Sequence, residues 1–237
     1  MSDWARRFAG ARLSGGTVDG VGPLTLDQGY AIADAEAPLL GITKGWKVGA
    51  TNADGQAFLQ IDEPICGRIF GPIAFSGEKL ALRGARPAEA EPEILLRLAT
   101  GSEPSEEPPR IAAAHLGLEI NRPSHADAFG RGAGFIVADN AAHVALIVGP
   151  IIDLACLDHP GSIAVKLIRN GIEEASGDAS AVLGTPLAAV RWLASRRSLR
   201  AGDWVATGAI TKSCEFACGD HIEADFGALG SVEVERR

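Results

Sequence analysis

The sequence predicts an α+β protein built on a mixed, rolled sheet, and three observations support this prediction. Short segments with the alternation or the β-branched composition of strands clearly outnumber the three or four segments with helical spacing. These segments do not follow one another as a long βαβ series, which argues against an open parallel sheet. The pair Asn170-Gly171 lies between two strand-like runs and is the strongest hairpin signal in the chain.

The predicted helices begin at recognisable capping residues. Residues 2–13 carry apolar side chains at spacings of three and four. Thr25 and Gln28 form a capping box at the start of a second helix, which is expected to end near Gly41. A third helix is expected over residues 186–197, where a proline occupies the first turn.

The remaining elements are expected to be short strands separated by glycine and proline turns. The predicted strands are residues 44–50, 64–70, 79–82, 91–98, 116–120, 135–138, 143–148, 163–169, 172–176, 204–207, 221–226 and 230–234. A short helix is predicted over residues 54–59, and one or two helical turns over residues 110–114. Residues 101–109 form a polar, proline-rich loop that is expected to be mobile.

Composition and charge exclude several classes of function. The chain has 237 residues, a net charge of -8 and no basic cluster, which argues against binding to nucleic acid or to an anionic membrane surface. No stretch reaches about 18 uninterrupted apolar residues, and the first residues lack the pattern of a signal peptide. We therefore expect a cytoplasmic protein. The absence of a Gly-x-Gly-x-x-Gly or phosphate-loop motif leaves nucleotide binding without support.

Two carboxylates share one face of a predicted strand. Glu91 and Glu93 are two residues apart, so they point the same way while the apolar residues that follow point the other way. Glu119 lies in a similar apolar segment and adds a third acid. Three hard oxygen ligands suit Mg²⁺ or Mn²⁺ better than zinc. A Glu-x-Glu pair on a strand is, however, more often a solvated face than a metal site.

Lys47 is a candidate for a positively charged side chain beside these carboxylates. Trp46 and Val48 face one side of the predicted strand, and Lys47 faces the other. Lys47 is either an inward-pointing cation or a surface lysine on an edge strand. The five histidines show no ligand spacing, so each is expected at the surface or at the edge of the core.

The motifs combine in an order that resembles the 2-keto-4-pentenoate hydratase and 4-oxalocrotonate decarboxylase group of the fumarylacetoacetate hydrolase superfamily. The resemblance runs from the helix that contains Tyr30 to the last strand. Its landmarks are Lys47-Val48-Gly49-Ala50-Thr51, Glu63-Pro64, Gly67-Arg68-Ile69-Phe70, Glu91-Pro92-Glu93, Leu118-Glu119-Ile120, Ala138-Asp139-Asn140, the run from Lys166 to Gly184 with Pro186-Leu187, and Asp203 through Thr207-Gly208-Ala209.

The resemblance implies a β-roll fold of the fumarylacetoacetate hydrolase C-terminal type. Residues 1–45 would form a small N-terminal helical segment, and residues 46–237 would form the catalytic β-roll domain. The relatives imply Mg²⁺ or Mn²⁺ as the cofactor and a homo-oligomer as the assembly. Their substrates are small 2-oxo or 2-hydroxydienoate acids, which chelate the metal through a carboxylate and the 2-oxo or 2-hydroxy oxygen.

The resemblance also assigns roles to single residues. The metal would be held by Glu91, Glu93 and Glu119. Lys47 would be catalytic: it would offset the negative charge of the carboxylates and help to hold the substrate anion, and a lowered pKa would in addition let it shuttle a proton. The implied substrate-binding residues are Thr51, Asp139 and Thr207.

Four functional hypotheses follow. The first is a lyase that hydrates a short 2-hydroxy-2,4-dienoate in aromatic catabolism. The second is a 2-oxo acid decarboxylase of the 4-oxalocrotonate type, which Arg122 or Lys212 at the far end of the pocket would favour. The third is an acylpyruvate-type hydrolase, for which His115 is the candidate histidine. The fourth is a family member that has kept the fold and lost catalysis.

Overall fold

The computed structural model describes residues 2–104 and 106–237, and this part of the chain contains five helices and 13 strands. The helices are α1 (Ser2–Ser14), α2 (Leu26–Leu40), α3 (Ala53–Leu59), α4 (Ala133–Ala138) and α5 (Pro186–Ala194). The strands are β1 (Gly45–Gly49), β2 (Ile65–Arg68), β3 (Ile73–Phe75), β4 (Lys79–Leu80), β5 (Ala88–Leu98), β6 (Ile111–Asn121), β7 (His143–Ile152), β8 (Ala164–Arg169), β9 (Ile172–Asp178), β10 (Trp204–Ala206), β11 (Cys214–Phe216), β12 (His221–Asp225) and β13 (Ser231–Arg236). The predicted α+β class is confirmed.

Local sequence signals account for the start and end of α2. The Thr25 side chain accepts a hydrogen bond from the Gln28 backbone, and the Gln28 side chain accepts one from the Thr25 backbone. This reciprocal pair satisfies two backbone donors that have no partner within the helix. Gly41 follows the last turn with a φ of 96°. The predicted capping box and helix end are therefore confirmed.

The larger sheet has the strand order β2-β1-β10-β5-β6-β7-β3, and β11 pairs with the first residues of β5. Its centre is the long antiparallel pair β5–β6, while β1 and β10 run parallel to each other. Parallel and antiparallel pairs therefore occur in one sheet, as the sequence predicts. The smaller sheet has the order β4-β13-β12-β8-β9.

The hairpin between β8 and β9 turns at the predicted pair. Asn170 has a φ of 52° and Gly171 a φ of 81°. A two-residue turn of type I′ needs positive φ at both central positions, and Asn and Gly are the residues that tolerate it best. The hairpin predicted at Asn170-Gly171 is confirmed.

The two sheets enclose the main core and give the strands of the larger sheet an inner and an outer face. On β5, Ile94 and Leu96 belong to the core between the sheets. Leu95 belongs instead to a small cluster on the other face. Because side chains alternate along a strand, Glu91 and Glu93 lie with Leu95 on the outer face.

A second hydrophobic cluster joins the helices. It contains Phe8 of α1, Ile32 of α2 and Phe135 of α4. Helices α2 and α4 approach so closely that a Cβ atom at Gly29 would lie 2.3 Å from the carbonyl oxygen of Gly134. None of the described helices has the length and apolar character that a membrane span requires.

Two local predictions are wrong. Residues 135–138 were expected as a strand and form the end of α4, in which all six residues are buried. Periodicity does not distinguish a short apolar strand from a fully buried helical turn. Residues 110–114 were expected to be helical, but β6 begins at Ile111. Pairing with β5, in which Leu96 lies opposite Ala114, overrides the helix propensity of the alanines. The division at residue 45 stays a prediction.

The close approach of α2 and α4 gives a test of the helical packing. Gly29→Ala should lower the free energy of unfolding by about 1 to 3 kcal/mol, because the added methyl group meets backbone that cannot move aside. Urea unfolding followed by circular dichroism measures the change. The matched control is Gly10→Ala in α1, where no described atom outside the adjacent residues and the helix's own backbone lies within 4 Å of the added methyl group. This control should raise stability by about 0.5 to 1 kcal/mol. Equal effects of the two substitutions would contradict the packing described here.

Candidate active site

The three carboxylates predicted from the sequence meet on the outer face of β5 and β6. Glu91 lies directly opposite Glu119 in the strand pair, and Glu93 is two residues further along β5. One carboxylate oxygen from each of the three residues lies within 4.8 Å of the other two. Glu93 and Glu119 are fully buried. The antiparallel register therefore brings Glu93 and Glu119 together, although 26 positions separate them in the sequence.

Each carboxylate has its own hydrogen-bond donor. The Oε2 atom of Glu91 accepts from Asn121 Nδ2 at 2.8 Å, and Glu93 Oε2 accepts from the backbone nitrogen of Gly208 at 2.9 Å. The Oε2 atom of Glu119 lies 3.1 Å from Lys47 Nζ. In the part of the chain that the structure describes, the buried Oε1 atom of Glu93 has no hydrogen-bond partner. One buried oxygen of the cluster is thus left for a further ligand.

The environment sets the three carboxyl groups apart in acidity. Burial raises the pKa of Glu91 to about 7 against the opposing charge of Lys47. Burial and the neighbouring Glu119 raise the pKa of Glu93 well above its ordinary value. Burial also opposes ionisation of Glu119, but Lys47 and His143 outweigh it and lower its pKa. Glu119 is therefore the most acidic group of the cluster, and further positive charge would favour ionisation of Glu91 and Glu93.

The cluster fits a hard divalent cation. All three groups offer carboxylate oxygens, which Mg²⁺, Mn²⁺ and Ca²⁺ prefer, and no sulfur lies among them. A doubly charged ion would compensate the like charges that otherwise oppose ionisation. The unpartnered oxygen of Glu93 would also gain a ligand.

Lys47 points into the site, which agrees with the inward-pointing of the two positions that the sequence left open. Trp46 and Val48 lie in the main core, whereas Lys47 is 5% exposed on the opposite face of β1. Burial alone would lower the pKa of Lys47, but the charges of Glu119, Glu91 and Glu93 outweigh it and raise the pKa. The lowered pKa expected for Lys47 is therefore wrong for this arrangement. The lysine is a charged donor at neutral pH.

His143 is a site residue that the sequence analysis missed. The prediction of a surface or core-edge position is wrong, because its ring is buried and its Nδ1 atom lies 2.9 Å from Glu119 Oε1. His143 is the first residue of β7 and pairs with Asn121, two residues after Glu119. The spacing of the histidines in the sequence does not predict this contact. The contact results from the pairing of β6 with β7.

An unusual backbone segment delivers His143 to the site. Asn140, Ala141 and Ala142 have φ values of 50°, 49° and 64°. Successive left-handed residues other than glycine are strained and persist only where surrounding contacts hold them. The Asn140 side chain supplies such contacts, because it accepts from the backbone nitrogen of Arg68 at 2.7 Å and donates to its carbonyl at 2.8 Å.

Arg12 of α1 joins the helical layer to this segment. Its guanidinium donates to the carbonyl oxygen of His143 at 2.6 Å and to the Asp139 carboxylate at 2.8 Å. It also donates to Glu36 of α2 at 3.4 Å. A single arginine thus fixes the backbone of the histidine that contacts Glu119. The N-terminal helices therefore support the site.

The substrate-binding role expected for Asp139 does not agree with its position. Asp139 is fully buried, its Oδ1 atom accepts from Arg12, and its Oδ2 atom accepts from the Ser124 backbone at 2.5 Å. It is not among the residues that line the cavity beside the carboxylates. Both oxygens serve the scaffold, so we assign Asp139 to the support of His143.

A cavity of about 830 Å³ opens beside the carboxylates. Lys47, Glu91 and Asn121 reach its wall, together with Thr51 of the predicted substrate-binding set. Thr207 does not line it: its hydroxyl is buried and donates to the carbonyl of Ile94 at 2.8 Å. The remaining lining residues are Val48, Gly49, Ala50, Asn52, Asp54, Gly55, Phe58, Leu59, Ile65, Glu89, Phe129, Ile136, Ala141, Ala142, Ser176, Ala181, Ala209, Ile210, Thr211, Lys212 and Ser213.

The residues named for the competing hypotheses have separate positions. Lys212 lines the cavity, whereas Arg122 does not. Burial and neighbouring arginines lower the pKa of Arg122 to about 10. The ring of His115 packs against Trp204, and its Nδ1 atom lies 3.2 Å from the Gly149 carbonyl oxygen. His115 is on β6, where it pairs with Leu95 of β5. The hydrolase hypothesis therefore finds no histidine among the described residues of the cavity wall.

The polar loop predicted over residues 101–109 leaves the end of β5 that is remote from the carboxylates. Ser102 pairs with Leu199 through two backbone hydrogen bonds of 2.9 and 3.1 Å. No described residue of this loop lines the cavity of about 830 Å³.

Comparison with known proteins gives one family and several relatives. The profile of the fumarylacetoacetate (FAA) hydrolase C-terminal family matches residues 127–235. A 2-keto-4-pentenoate hydratase from Paraburkholderia xenovorans is 31% identical over 210 residues, which cover 81% of this chain and 75% of the relative. The TodF product hydratase of Pseudomonas putida is 28% identical over 228 residues, which cover 90% and 84% of the two chains.

Two solved structures show the same fold. The 4-oxalocrotonate decarboxylase of Pseudomonas putida, complexed with calcium and acetate, has a TM-score of 0.86 at 21% identity and covers 100% of this chain and 96% of its own. A fumarylpyruvate hydrolase from Pseudomonas aeruginosa, in complex with Mn²⁺ and pyruvate, has a TM-score of 0.62 at 18% identity and covers 82% and 89% of the two chains. The roll predicted from the sequence is thereby confirmed.

The buried Glu36 beside Arg12 gives a pH-dependent test of the supporting network. Burial raises its pKa from 4.5 to about 7, so the folded state keeps the proton longer than the unfolded state. Stability should therefore fall as the pH rises from about 4.5 to 7, by about 3 kcal/mol in total. Glu36→Gln should remove this component and make the protein more stable than the wild type at pH 8.

Urea unfolding of both proteins at pH 5, 6, 7 and 8 measures the difference. The control is Glu235→Gln, which alters a partly exposed ion pair with Lys79 and should follow the wild-type curve. If Glu36→Gln and the wild type lose stability in parallel between pH 5 and 8, Glu36 is not the buried acid described here.

Proposed function

The chain belongs to the 2-keto-4-pentenoate hydratase and 4-oxalocrotonate decarboxylase group of the fumarylacetoacetate hydrolase superfamily, and we propose that it hydrates a short 2-hydroxy-2,4-dienoate. Membership makes it an enzyme of the lyase class. The proposed product is a 4-hydroxy-2-oxo acid. One observation supports the proposal above all others: three carboxylates and Lys47 converge beside one cavity, and Glu91 and Lys47 reach its wall.

We propose Glu91, Glu93 and Glu119 as the ligands of Mg²⁺ or Mn²⁺. The bound ion would supply a Lewis acid that stabilises negative charge at the 2-oxo oxygen of the substrate. The hydrogen bond from Asn121 to Glu91 and that from Gly208 to Glu93 orient these carboxylates. Oriented ligands are what such a site requires from the protein.

Lys47 would act on the substrate as a charged donor. Its raised pKa keeps the ammonium protonated at neutral pH, so it can donate to a substrate carboxylate or give a proton to the dienol. The dienol would gain a proton at C5 and lose one from the 2-hydroxyl group, which gives an enone. Water would then add at C4 and a proton at C3. These steps balance as the net addition of one water molecule.

Other residues would hold the substrate or the site. Thr51 lines the cavity and lies so close to Gly208 that a Cβ there would come within 2.2 Å of its hydroxyl oxygen. We propose that Thr51 binds the substrate carboxylate and that Thr207 holds the neighbouring Gly208 in place. A homo-oligomeric assembly and a cytoplasmic location remain predictions from the sequence.

The decarboxylase is a second candidate because of one observation. Lys212 lies on the cavity wall, where the sequence analysis required a cation for a second substrate carboxylate. A vinylogous β-keto acid would there lose carbon dioxide and leave a dienolate. The two reactions share the same carboxylate centre and differ in what the far part of the cavity binds.

The metal requirement is the first prediction from this proposal. The absorbance of 2-hydroxypenta-2,4-dienoate should decay when the protein and Mg²⁺ are present, and the decay should stop when a chelator is added. Glu93→Gln should lower the rate at least ~100-fold, because it removes one ligand charge. Glu223→Gln, a substitution on β12 in the other sheet, is the control and should retain the wild-type rate. Metal-independent decay would contradict the proposed centre.

Lys47 gives the second prediction. Lys47→Met should lower kcat by about 100-fold or more, since positioned proton transfer typically contributes that much. Calorimetric titration should show that the variant still binds Mg²⁺, because the three carboxylates remain. The control is Lys166→Met, at a half-exposed lysine paired with Glu173. Full activity of Lys47→Met would exclude this lysine from the chemistry.

A further inference from the structure

We propose that the substrate carries an apolar substituent on C5, the end of the dienoate remote from its carboxylate, and that Phe58 and Phe129 bind this substituent. The inference rests on the proposed function and narrows its substrate class. It starts from a part of the cavity wall that the hydration chemistry does not use.

The cavity is larger than the simplest dienoate needs. 2-Hydroxypenta-2,4-dienoate has eight non-hydrogen atoms. Even if each occupied the share of a water molecule in the liquid, about 30 Å³, the molecule would fill about 240 Å³. The cavity measures about 830 Å³. More than half of it therefore remains for a further group on the substrate.

Two aromatic rings face this space from different elements. Phe58 of α3 is 67% exposed, and Phe129 of a short 3₁₀ turn is 38% exposed. Their ring centroids are 5.7 Å apart, so they form one apolar surface. Exposed aromatic rings that line a cavity are typical of a ligand-binding surface, because an apolar ligand would remove both from water.

The apolar wall is continuous with the carboxylate centre. A Cβ atom at Gly49 would lie 3.4 Å from Ile65 and 3.5 Å from Lys47 Nζ, so the lysine ammonium and an apolar side chain both lie next to Gly49. Leu59 and Ile136 extend the same wall. A substrate anchored at the carboxylates could therefore place a substituent on apolar side chains without leaving the cavity.

The charges on the wall argue against a second carboxylate at that position. Apart from Lys47, Lys212 is the one cation among the lining residues. Asp54 and Glu89 line the same cavity, and in the described chain no cation lies within ion-pair distance of either. Apart from Lys47 and Glu91 at the carboxylate centre, the described wall therefore carries two negative charges and one positive charge. A neutral apolar group avoids the repulsion that an anionic group would meet.

The chemistry of hydration allows a substituent at C5. Water adds at C4, and the new hydrogens arrive at C3 and C5, so no bond to the substituent forms or breaks. An alkyl or aryl group on C5 can therefore remain bound to Phe58 and Phe129 throughout the reaction. The proposed substrate class is a 5-alkyl- or 5-aryl-2-hydroxypenta-2,4-dienoate.

The test compares three dienols with Mg²⁺ present: unsubstituted 2-hydroxypenta-2,4-dienoate, its 5-phenyl derivative and its 5-carboxy derivative. The wild type should have a kcat/KM for the phenyl compound at least ~10-fold above that for the unsubstituted compound. Phe58→Ala and Phe129→Ala should each lower this preference ratio at least ~5-fold. The control is Phe75→Ala, an exposed phenylalanine outside the cavity, which should leave the ratio unchanged.

Three results would overturn the proposal. The first is an unchanged preference ratio in both phenylalanine variants. The second is a preference for the 5-carboxy compound that Lys212→Met removes, which would support the decarboxylase hypothesis instead. The third is a change in oligomeric state of Phe58→Ala, seen by size-exclusion chromatography, without any change in the ratio. The rings would then belong to a contact between copies of the chain.

A binding measurement separates this inference from the proposed function. Calorimetry with unreactive 2-oxo-5-phenylpentanoate and 2-oxopentanoate, each with Mg²⁺, requires no turnover. If the wild type binds the phenyl compound more tightly and Phe58→Ala abolishes this difference, the apolar binding site for the substituent is supported even if no dienol is consumed. If dienols are consumed but the two 2-oxo acids bind equally, the hydratase proposal stands and the inference fails.

Discussion

The repulsion between three neighbouring carboxylates, two of them fully buried, is the constraint on which the rest of this site depends. Glu91 and Glu119 lie opposite each other in the β5–β6 pair, and Glu93 shares their face. Burial works against ionisation of all three, since water no longer screens their charges. The protein supplies one full positive charge, at Lys47, and stabilises mainly Glu119 with it. The remaining imbalance is what makes this corner of the sheet suited to a divalent cation.

The N-terminal helices are part of the same arrangement. Arg12 reaches from α1 to the His143 carbonyl, and the His143 ring reaches Glu119. The intervening backbone is held in the left-handed region, which a free chain would leave. Energy stored in this segment has to be offset by contacts such as those from Asn140 to Arg68. The helical layer is thus coupled to the geometry of the carboxylates, although it contributes no group to the cluster itself.

The sequence predicts those features that depend on short-range periodicity. The alternation around Glu91 and Lys47 places their side chains correctly, because a strand has a period of two wherever it lies in a sheet. His143 and Asp139 could not be placed in this way, since their contacts arise from strand pairing and from Arg12, more than 120 residues earlier. Helix α4 was missed for a related reason: a segment buried on every side has no polar face to show its period.

The distribution of charge finally connects the carboxylate centre with substrate choice. An ion at Glu91, Glu93 and Glu119 would attract the carboxylate end of a substrate, and Lys47 would add to that attraction. Beyond this centre, the described lining residues include the acids Asp54 and Glu89 and one cation, Lys212, and they also include the neighbouring rings of Phe58 and Phe129. A substrate charged at one end and apolar at the other matches both parts. In the proposed reaction, this asymmetric cavity would orient such a substrate before any bond changes, with the reacting carbons next to Lys47.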